Sequence, residues 1–565
     1  MRWNYNPKPP QEKISSLTKA LKIPPLIAQL LVARGIETFE EARLFFRPAL
    51  ADLHDPYLMK DMDKAVNRIE KSIANGENIM VFGDYDVDGT TAVSLMASYL
   101  KSIYPNVTTY IPDRYTEGYG ISFKGIDYAD DNAISLIIAL DCGIKSIDHV
   151  TYARERNIDF VICDHHRPGE SLPDAVAVLD PKRIDCTYPY DELCGCGIGF
   201  KLIQALGMNR NQTVEDLKPY LDLVATAIAA DIVPMTGENR ILAKFGLEVI
   251  NSNPRPGIKA LIGPIQKAVL TITDVVFILA PRINAAGRIK HGNHAVELLS
   301  EFDIDQAKAF AAEIEKFNAN RKELDKQMTA EALQQIAEND EVNRYSTVVF
   351  QEDWHKGVIG IVASRLIETY YRPTLVFTKS GDKMAASARS VLGFDVYNAL
   401  EACSEHLEQF GGHMYAAGMT LLPENYEKFK EAFEKQVEKT ITQVQLEPQL
   451  NIDLQLNFED IDTKFVRLLK EFEPFGPQNM SPVFVAKDVF DTGYAKTMGT
   501  KDEHLKLFLK QHHSEGFAAI GFNLGDQLPL LTNRKLVDVA FNLSENVWRD
   551  QVSLQLIIKD IHFKD

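Results

Sequence analysis

Three aspartates at alternate positions, Asp84, Asp86 and Asp88, stand in the stretch "IMVFGDYDVDGTTAVSLM", residues 79–96, just after four apolar residues and Gly83. Carboxylates so close repel one another, and a buried cluster of them is costly unless a cation neutralises it. Other apolar runs end in the same way. The run at 134–140 leads into Asp141, and the run at 159–163 leads into Asp164, His165 and His166. The helical stretch "YLDLVATAIAADIVPM" delivers Asp231 near its C-terminal end. Mixed carboxylate oxygen and imidazole nitrogen ligands suit Mn²⁺, or Mg²⁺ with fewer histidines. Alternate residues of an extended segment face one side, so Asp84 and Asp86 could each hold one of two metals. A two-metal site about 3.5–4 Å across activates a water and clamps a phosphate for in-line displacement.

Such a cluster needs elements that converge. From 78 to about 235, apolar or β-branched runs ("NIMVFGD", "NVTTYIPDR", "ISLIIALDCG", "DFVICDHH", "AVAVLDP") alternate with helical stretches such as 91–103 and 145–156. That alternation predicts a parallel α/β sheet, in which the carboxyl ends of the strands meet at one ligand-binding edge. Residues 1–75 read as helical, with two short amphipathic helices in 24–48 broken at Gly35 and Thr38 as an N-cap. Residues 303–340 contain no Gly or Pro and carry Phe310, Ile314, Phe317, Leu324 and Met328 on one stripe. They predict a connecting helix of roughly 50 Å, at ~1.5 Å per residue. A second α/β segment follows at 345–440. From about 447 the chain holds several short β runs with turn-rich gaps, the pattern of a small barrel such as an OB-fold.

Length and composition fit this plan. A chain of 565 residues is too long for one core, and its hydrophobic and charged fractions are those of a globular protein. The formal net charge of -18 argues against a nucleic-acid binder of the basic-patch kind, yet leaves room for a local basic channel. The N-terminal "MRWNYNPKPP" lacks the apolar region of a signal peptide, and no apolar run is long enough to span a bilayer. Six cysteines in so long a chain form no disulfide framework, and Cys142 and Cys163 each sit beside a suspected site residue as reduced thiols would. A cytoplasmic protein is expected. The group Cys186, Cys194 and Cys196 lies in "CGCGIGFKLI", which reads as a Gly-rich turn into a helix rather than a zinc site.

The segments "GDYDVDGTTA", "ALDCGI", "CDHHRP" and "AIAADIVPM" resemble motifs I to IV of the DHH phosphoesterases. Further along, "APRINAAGRI", "GVIGIVASRL", "SARSVLGFDVYNAL" and "GGHMYAAGM" resemble the RecJ branch of that superfamily, and the likeness covers nearly the whole chain. It implies a helical region at 1–75, a parallel-sheet DHH catalytic domain at 76–302 and a connecting helix at 303–340. An α/β DHH-associated substrate-binding domain at 341–446 and an OB-like DNA-binding barrel at 447–565 complete the plan. The implied activity is metal-dependent 5′→3′ degradation of single-stranded DNA to nucleoside 5′-monophosphates in recombination and repair. The implied cofactors are two Mn²⁺ or Mg²⁺ ions. Single-stranded DNA is the implied partner, a helicase or a single-strand-binding protein a candidate protein partner, and a monomer free of membrane the implied state. The alternatives are a phosphodiesterase for short oligoribonucleotides or cyclic dinucleotides, against which the terminal barrel argues, and an idle strand-binding scaffold, against which the intact motifs argue.

Carried over by residue, the resemblance makes Asp84, Asp86, Asp141, His165 and Asp231 the metal ligands, with Asp141 as the bridge. It places His166 beside the metals, on the scissile phosphate or in proton transfer. Asp88 is either a partner that orients a ligand or a turn residue. In "GGHMYAAGM", Gly411 and Gly412 let backbone amides approach a phosphate, His413 adds a donor, and a helix-like run follows. Ser387 and Arg389 lie side by side on an extended segment, apt for a terminal phosphate. Arg282, Asn284 and Arg288 stand among small residues that a nucleic-acid backbone could approach. Arg114, Tyr115 and Tyr119 mix a charge for phosphate with rings for stacking.

Overall fold

The protein, seen in a computed structural model, is described for residues 1–548 and 551–564. It divides into two compact units, one of residues 50–447 and one that joins 1–49 to 448–565.

The larger unit begins with a five-stranded, wholly parallel sheet in the order Val107–Tyr110, Asn78–Gly83, Ile134–Leu140, Asp159–Cys163, Ala177–Leu179. Its central strands are buried on both faces, which is why they read as unbroken apolar runs rather than alternating ones. The helix Val87–Ile103 packs against helices Gly195–Met208 and Leu221–Asp231 and is buried from Val87 to Leu100. The connecting helix Ile304–Glu338 starts at Asp303, whose carboxylate accepts the amides of Asp305 and Gln306. Its buried stripe includes Ile314, Phe317 and Met328 as expected, but also the polar Asn318 and Asp325.

Beyond that helix lies a mixed sheet in the order Gln409–His413, Ala416–Leu421, Lys383–Arg389, Thr374–Ser380, Thr347–Phe350. Here the sequence expectation needs a correction. The run after "GGH" is not helical but the second arm of a hairpin, with Gly411 paired to Gly418 and His413 to Ala416. Gly-rich and Ala-rich segments carry neither helical nor strand periodicity, so only the pairing partner decides.

The smaller unit is built from both ends of the chain. Strand Arg2–Tyr5 pairs in parallel with Gln449–Ile452. Helices Gln11–Leu21, Pro25–Ala33 and Phe39–Phe46 follow, the last opened by Thr38 in a capping box with Glu41. Ile14, Leu17, Ile27 and Leu31 share one core with barrel residues such as Phe484, Phe541 and Leu556. Residues 50–75 belong instead to the larger unit, where Met62, Val66 and Ile69 enter its core. The barrel closes as a ring of five strands: Phe484–Asp491, Val537–Trp548, Gln551–Phe563, Phe517–Gly521, His504–Gln511, and back to Phe484–Asp491. Five strands closed in this way are the OB architecture. Among the described residues no single helix is long and apolar enough to cross a membrane.

One polar staple sets the foot of the parallel sheet. Glu77 accepts hydrogen bonds from Arg68 at 2.8 Å, Ser72 at 3.0 Å, Ser135 at 2.8 Å and Asn75 at 3.0 Å. Burial would raise its carboxyl, but the bonds from Asn75, Ser135, Arg68 and Ser72 outweigh it and hold it down to about 2. A depressed carboxyl stabilises the fold above its unfolded value of 4.5, and that contribution is lost as pH falls toward 2. Glu77→Gln should therefore destabilise the larger unit by on the order of 2 kcal/mol at pH 7, with the deficit shrinking below about pH 4.5. Denaturant unfolding at several pH values measures it, and a pH-independent deficit would contradict the staple.

Candidate active site

Asp84, Asp141 and the run Asp164–His165–His166 each follow one of three neighbouring parallel strands, so they share the sheet's carboxyl edge. The helix Leu221–Asp231 ends there with its last residue. His165 Nε2 lies 3.2 Å from Asp141 Oδ1, 3.6 Å from Asp231 Oδ2 and 3.9 Å from Asp88 Oδ2. Asp141, His165 and His166 form one group able to hold a metal ion, and Asp88, His165 and Asp231 form another. No cysteine belongs to either group among the described residues, and Cys194 instead caps helix Gly195–Met208 by accepting the Gly197 amide.

Close backbone approach makes the cluster possible. A Cβ on Gly195 would stand 2.6 Å from Asp141 Cβ, and one on Gly89 would stand 2.4 Å from the Asp84 carbonyl oxygen. Gly89 of "DVDG" and Gly195, the first glycine of "CGCG", are thus steric requirements of the site. Asp88 accepts the amides of Gly195 and Cys196, both at 2.7 Å. It therefore fixes the N-terminus of that helix against the site, with both oxygens engaged. Burial and the charge of Asp86 push Asp88 up to about 7 against the pull of those two amides. Asp86 caps its own helix through the Gly89 amide at 3.1 Å, and Asp84 Oδ1 accepts the Gly120 amide at 3.2 Å.

Asp164 is the functional residue to which the sequence reading gave no role. Its carboxylate accepts the amides of Ile144, His165 and His166 and takes His166 Nδ1 at 2.7 Å. Burial lowers the His166 imidazole, but the bond from Asp164 more than offsets it and leaves it raised. His166 Nε2 stays 3.2 Å from the Tyr119 hydroxyl, which also donates to the Asp141 carbonyl at 3.1 Å. The signal was present: Asp164 holds the same place after its strand that Asp84 and Asp141 hold after theirs.

The electrostatics state the problem this site must solve. Asp84 and Asp141 are pushed far above the carboxylate range, first by burial and then by neighbouring carboxylates. Asp231 is pushed up to about 8 by burial, Asp88 and Asp86. His165 is lowered to about 3 by burial and by His166, so it stays neutral, as a ligand imidazole must. Asp84 Oδ2, Asp141 Oδ1 and His165 Nδ1 are buried without a hydrogen-bond partner. Unpartnered carboxylate oxygens beside an available imidazole fit a divalent cation of the Mn²⁺ or Mg²⁺ type.

The surface expected to bind substrate lies in the same unit. Arg389, Ser387 and His413 fall on one face of the mixed sheet, in the rows His413–Ala416–Arg389 and Gly411–Gly418–Ser387. Ala416 stands between the histidine and the arginine, and Gly418 and Gly411 leave the row beside Ser387 open. Arg389 donates to Ser387 Oγ at 3.1 Å and to the Ala388 carbonyl at 2.7 Å. A Cβ on Gly360, in the first turn of helix Ile359–Thr369, would stand 2.9 Å from both Arg389 Nη2 and Ser387 Oγ. The hairpin's tight geometry resides in Gly412, at φ 145, where a Cβ would strike Ala417.

Arg288, on helix Ala280–Ile289, donates to the Gly357 carbonyl just before helix Ile359–Thr369 at 2.9 Å, while Tyr115 donates to the carbonyl of Arg288. Burial, with Arg114, Arg389 and Arg321 nearby, lowers its guanidinium to about 10. Arg114 stacks over the Tyr85 ring at 4.6 Å. Arg282 is engaged elsewhere, 2.7 Å from Glu315 on the connecting helix and bonded to the Ile278 carbonyl. Asn284 keeps a buried Oδ1 without a partner. His355 and Arg321, which the sequence reading missed, join this surface: His355 meets Tyr115 edge-on, and Arg321 is a near neighbour in charge of Arg288.

Gly195→Ala tests the steric claim. With a methyl driven into Asp141, Mn²⁺ affinity should fall about 10–100-fold, the range typical of disturbed ligand support. Calorimetric titration measures the affinity while circular dichroism confirms the fold, and unchanged affinity in a folded variant would refute the requirement.

Known proteins match this arrangement throughout. The DHH family N-terminal domain matches residues 78–228, the DHHA1 domain 343–439 and the RecJ OB domain 452–560. The single-stranded-DNA-specific exonuclease RecJ of Bacillus subtilis is 38% identical over 567 residues, covering 99% of this chain and 70% of the relative. The RecJ of Salmonella typhimurium is 32% identical, covering 95% of this chain and 96% of the relative. The crystal structure of RecJ from Thermus thermophilus in complex with Mn²⁺ superposes with a TM-score of 0.85 at 26% identity, covering all of this chain and 80% of that one. A Mg²⁺ complex of that RecJ gives 0.79. Matched along its whole length by relatives at 32–38% identity, and folded as the solved RecJ is folded, this chain belongs to the RecJ family of DHH single-stranded-DNA-specific exonucleases.

Proposed function

We propose that the chain is a metal-dependent 5′→3′ exonuclease that degrades single-stranded DNA to nucleoside 5′-monophosphates in recombination and repair. The observation that carries this is the convergence of buried, unpartnered Asp and His atoms at the sheet edge, in the same unit as a guanidinium-lined surface. Asp84, Asp86, Asp141, His165 and Asp231 would hold two divalent cations. Such ions supply Lewis acidity toward a phosphodiester and an activated water. His166, held at Nδ1 by Asp164, presents Nε2 to the scissile phosphate. Asp88 acts as a positioning residue that holds the Gly195 and Cys196 amides, and so the start of that helix, against the site.

Arg389, Ser387 and His413, with Gly411 and Gly412 of the hairpin strand, would take the 5′-terminal phosphate. Arg114, Tyr115, Asn284 and Arg288 would line the path of the strand toward the metals, and Arg282 would hold the connecting helix that forms its wall. The OB barrel would hold more distant nucleotides by backbone charge and stacking. A cytoplasmic monomer that meets a helicase or a single-strand-binding protein on its substrate fits this role.

Two substitutions test the assignment. Asp141→Ala should lower turnover on single-stranded DNA by at least about 100-fold, the scale of losing a catalytic electrostatic group, while leaving much of the DNA affinity. Near-normal turnover by the metal-saturated variant would overturn the site. Arg389→Ala should weaken use of 5′-phosphorylated DNA by about 1–2 kcal/mol more than that of DNA with a 5′-hydroxyl. An equal loss on both substrates would remove the terminal phosphate from this pocket.

A further inference from the structure

Ile232 follows Asp231 directly and caps its helix in the left-handed conformation, at φ 57 and ψ 32. A branched Cβ makes that conformation costly, and Gly or Asn is the usual choice at such a helix end. Most other non-glycine residues at positive φ are Asp, Asn or other unbranched types, and Ile232 is the one β-branched case among the described residues. The strain is not compensated by packing, since Ile232 is 65% exposed. Glycine would turn the chain equally well and bury Val233 equally well. Only the side chain itself distinguishes isoleucine here, and strain that persists without packing marks a functional position.

Its location narrows what that side chain can meet. Asp231 Oδ2 lies 3.6 Å from His165 Nε2, so the next residue stands at the rim of the metal centre. Adjacent Cα atoms are only about 3.8 Å apart. A strand whose phosphate enters the centre brings its sugars and bases past this rim. The largest apolar surface of a single strand is the face of a base, and exposed Ile side chains are used as wedges against base steps. Tyr119, 52% exposed, adds an aromatic ring at this centre, tied to Asp141 and His166 through its hydroxyl.

We infer that Ile232 is a substrate-positioning residue, an apolar wedge that packs on the nucleobase beside the scissile phosphate and fixes the register of the strand. The inference rests on the exonuclease reading. It predicts opposite signs for stability and function in one variant. Ile232→Gly relieves the strain, so the thermal midpoint should rise by about 1–3 °C. Mn²⁺ affinity should stay unchanged, because the backbone that carries Asp231 is preserved. KM for single-stranded DNA should rise about 5–20-fold with kcat changed less than about threefold, as expected when contact away from the reacting atoms is lost. Ile232→Leu, which keeps the apolar reach with an unbranched Cβ, should retain the wild-type KM.

The closing experiment compares wild type, Ile232→Gly and Ile232→Leu on an oligonucleotide with normal bases and on one with abasic sites at its first two nucleotides. The expected result is a KM gap between wild type and Ile232→Gly on the normal strand that disappears on the abasic strand. A raised midpoint with unchanged KM, a lowered midpoint, or an equal KM gap on both strands would each overturn the wedge. Wild type with Mn²⁺ and with chelator, run alongside, separates the two levels: if it releases no 5′-mononucleotides from the normal strand in either condition, the exonuclease reading fails, whatever Ile232 does.

Discussion

The structure depends on one repulsion that is deliberately concentrated. Carboxylates of Asp84, Asp86, Asp88, Asp141 and Asp231 are driven together, and burial with mutual charge raises four of them. A fold gains nothing from such a cluster by itself. Its worth lies in cations it can hold, and the rest of the catalytic unit is arranged to keep it from flying apart. Parallel strands supply the edge, the backbone of Gly120, Gly195 and Cys196 supplies amides, and Gly89 and Gly195 supply the room. Two backbone turns in the left-handed region, at Asp141 and Ile232, complete the placement.

Charge of the other sign is concentrated as well. Burial first, and then neighbouring guanidiniums, lower Arg288 and Arg389: Arg114 is near both, and Arg321 is near Arg288. A polyanion answers both concentrations at once: its phosphates neutralise the guanidiniums, and its scissile group meets the cations. The net charge of -18 therefore conceals a local surface of opposite sign, since the field in a cleft is set by the nearest groups. The barrel unit is assembled differently, from an apolar core shared by residues 1–49 and the C-terminal strands. Removing either end of the chain would expose the partner left behind.

Much of this was legible in the sequence because the signals are local. Unbroken apolar runs marked the parallel strands, the Gly-free and Pro-free tract marked the connecting helix, and Thr38 marked a helix start. The polar residues after those runs gave Asp84, Asp141, His165 and Asp231. What stayed hidden depends on partners distant in sequence. Asp88 could be seen as a candidate but not as the clamp on the Gly195–Met208 helix, because its amides lie more than a hundred residues away. Asp164 was masked by the two histidines it supports, Arg282 by its pairing with Glu315, and the "GGHMYAAGM" hairpin by small residues without periodicity. Nothing local announced that the first 49 residues would pack with the last hundred and more.

The central claim is that the carboxylate cluster is unfavourable alone and becomes favourable only with divalent cations. Thermal unfolding of wild type and Asp141→Asn, each with chelator and with saturating Mn²⁺, measures both halves at once. Removing one charge from the crowded edge should leave the chelated variant at least as stable as chelated wild type. Mn²⁺ should raise the midpoint of wild type by several degrees and that of the variant by much less. A variant less stable than wild type by the same amount in both conditions would contradict the account, for Asp141 would then serve the fold and not the ions.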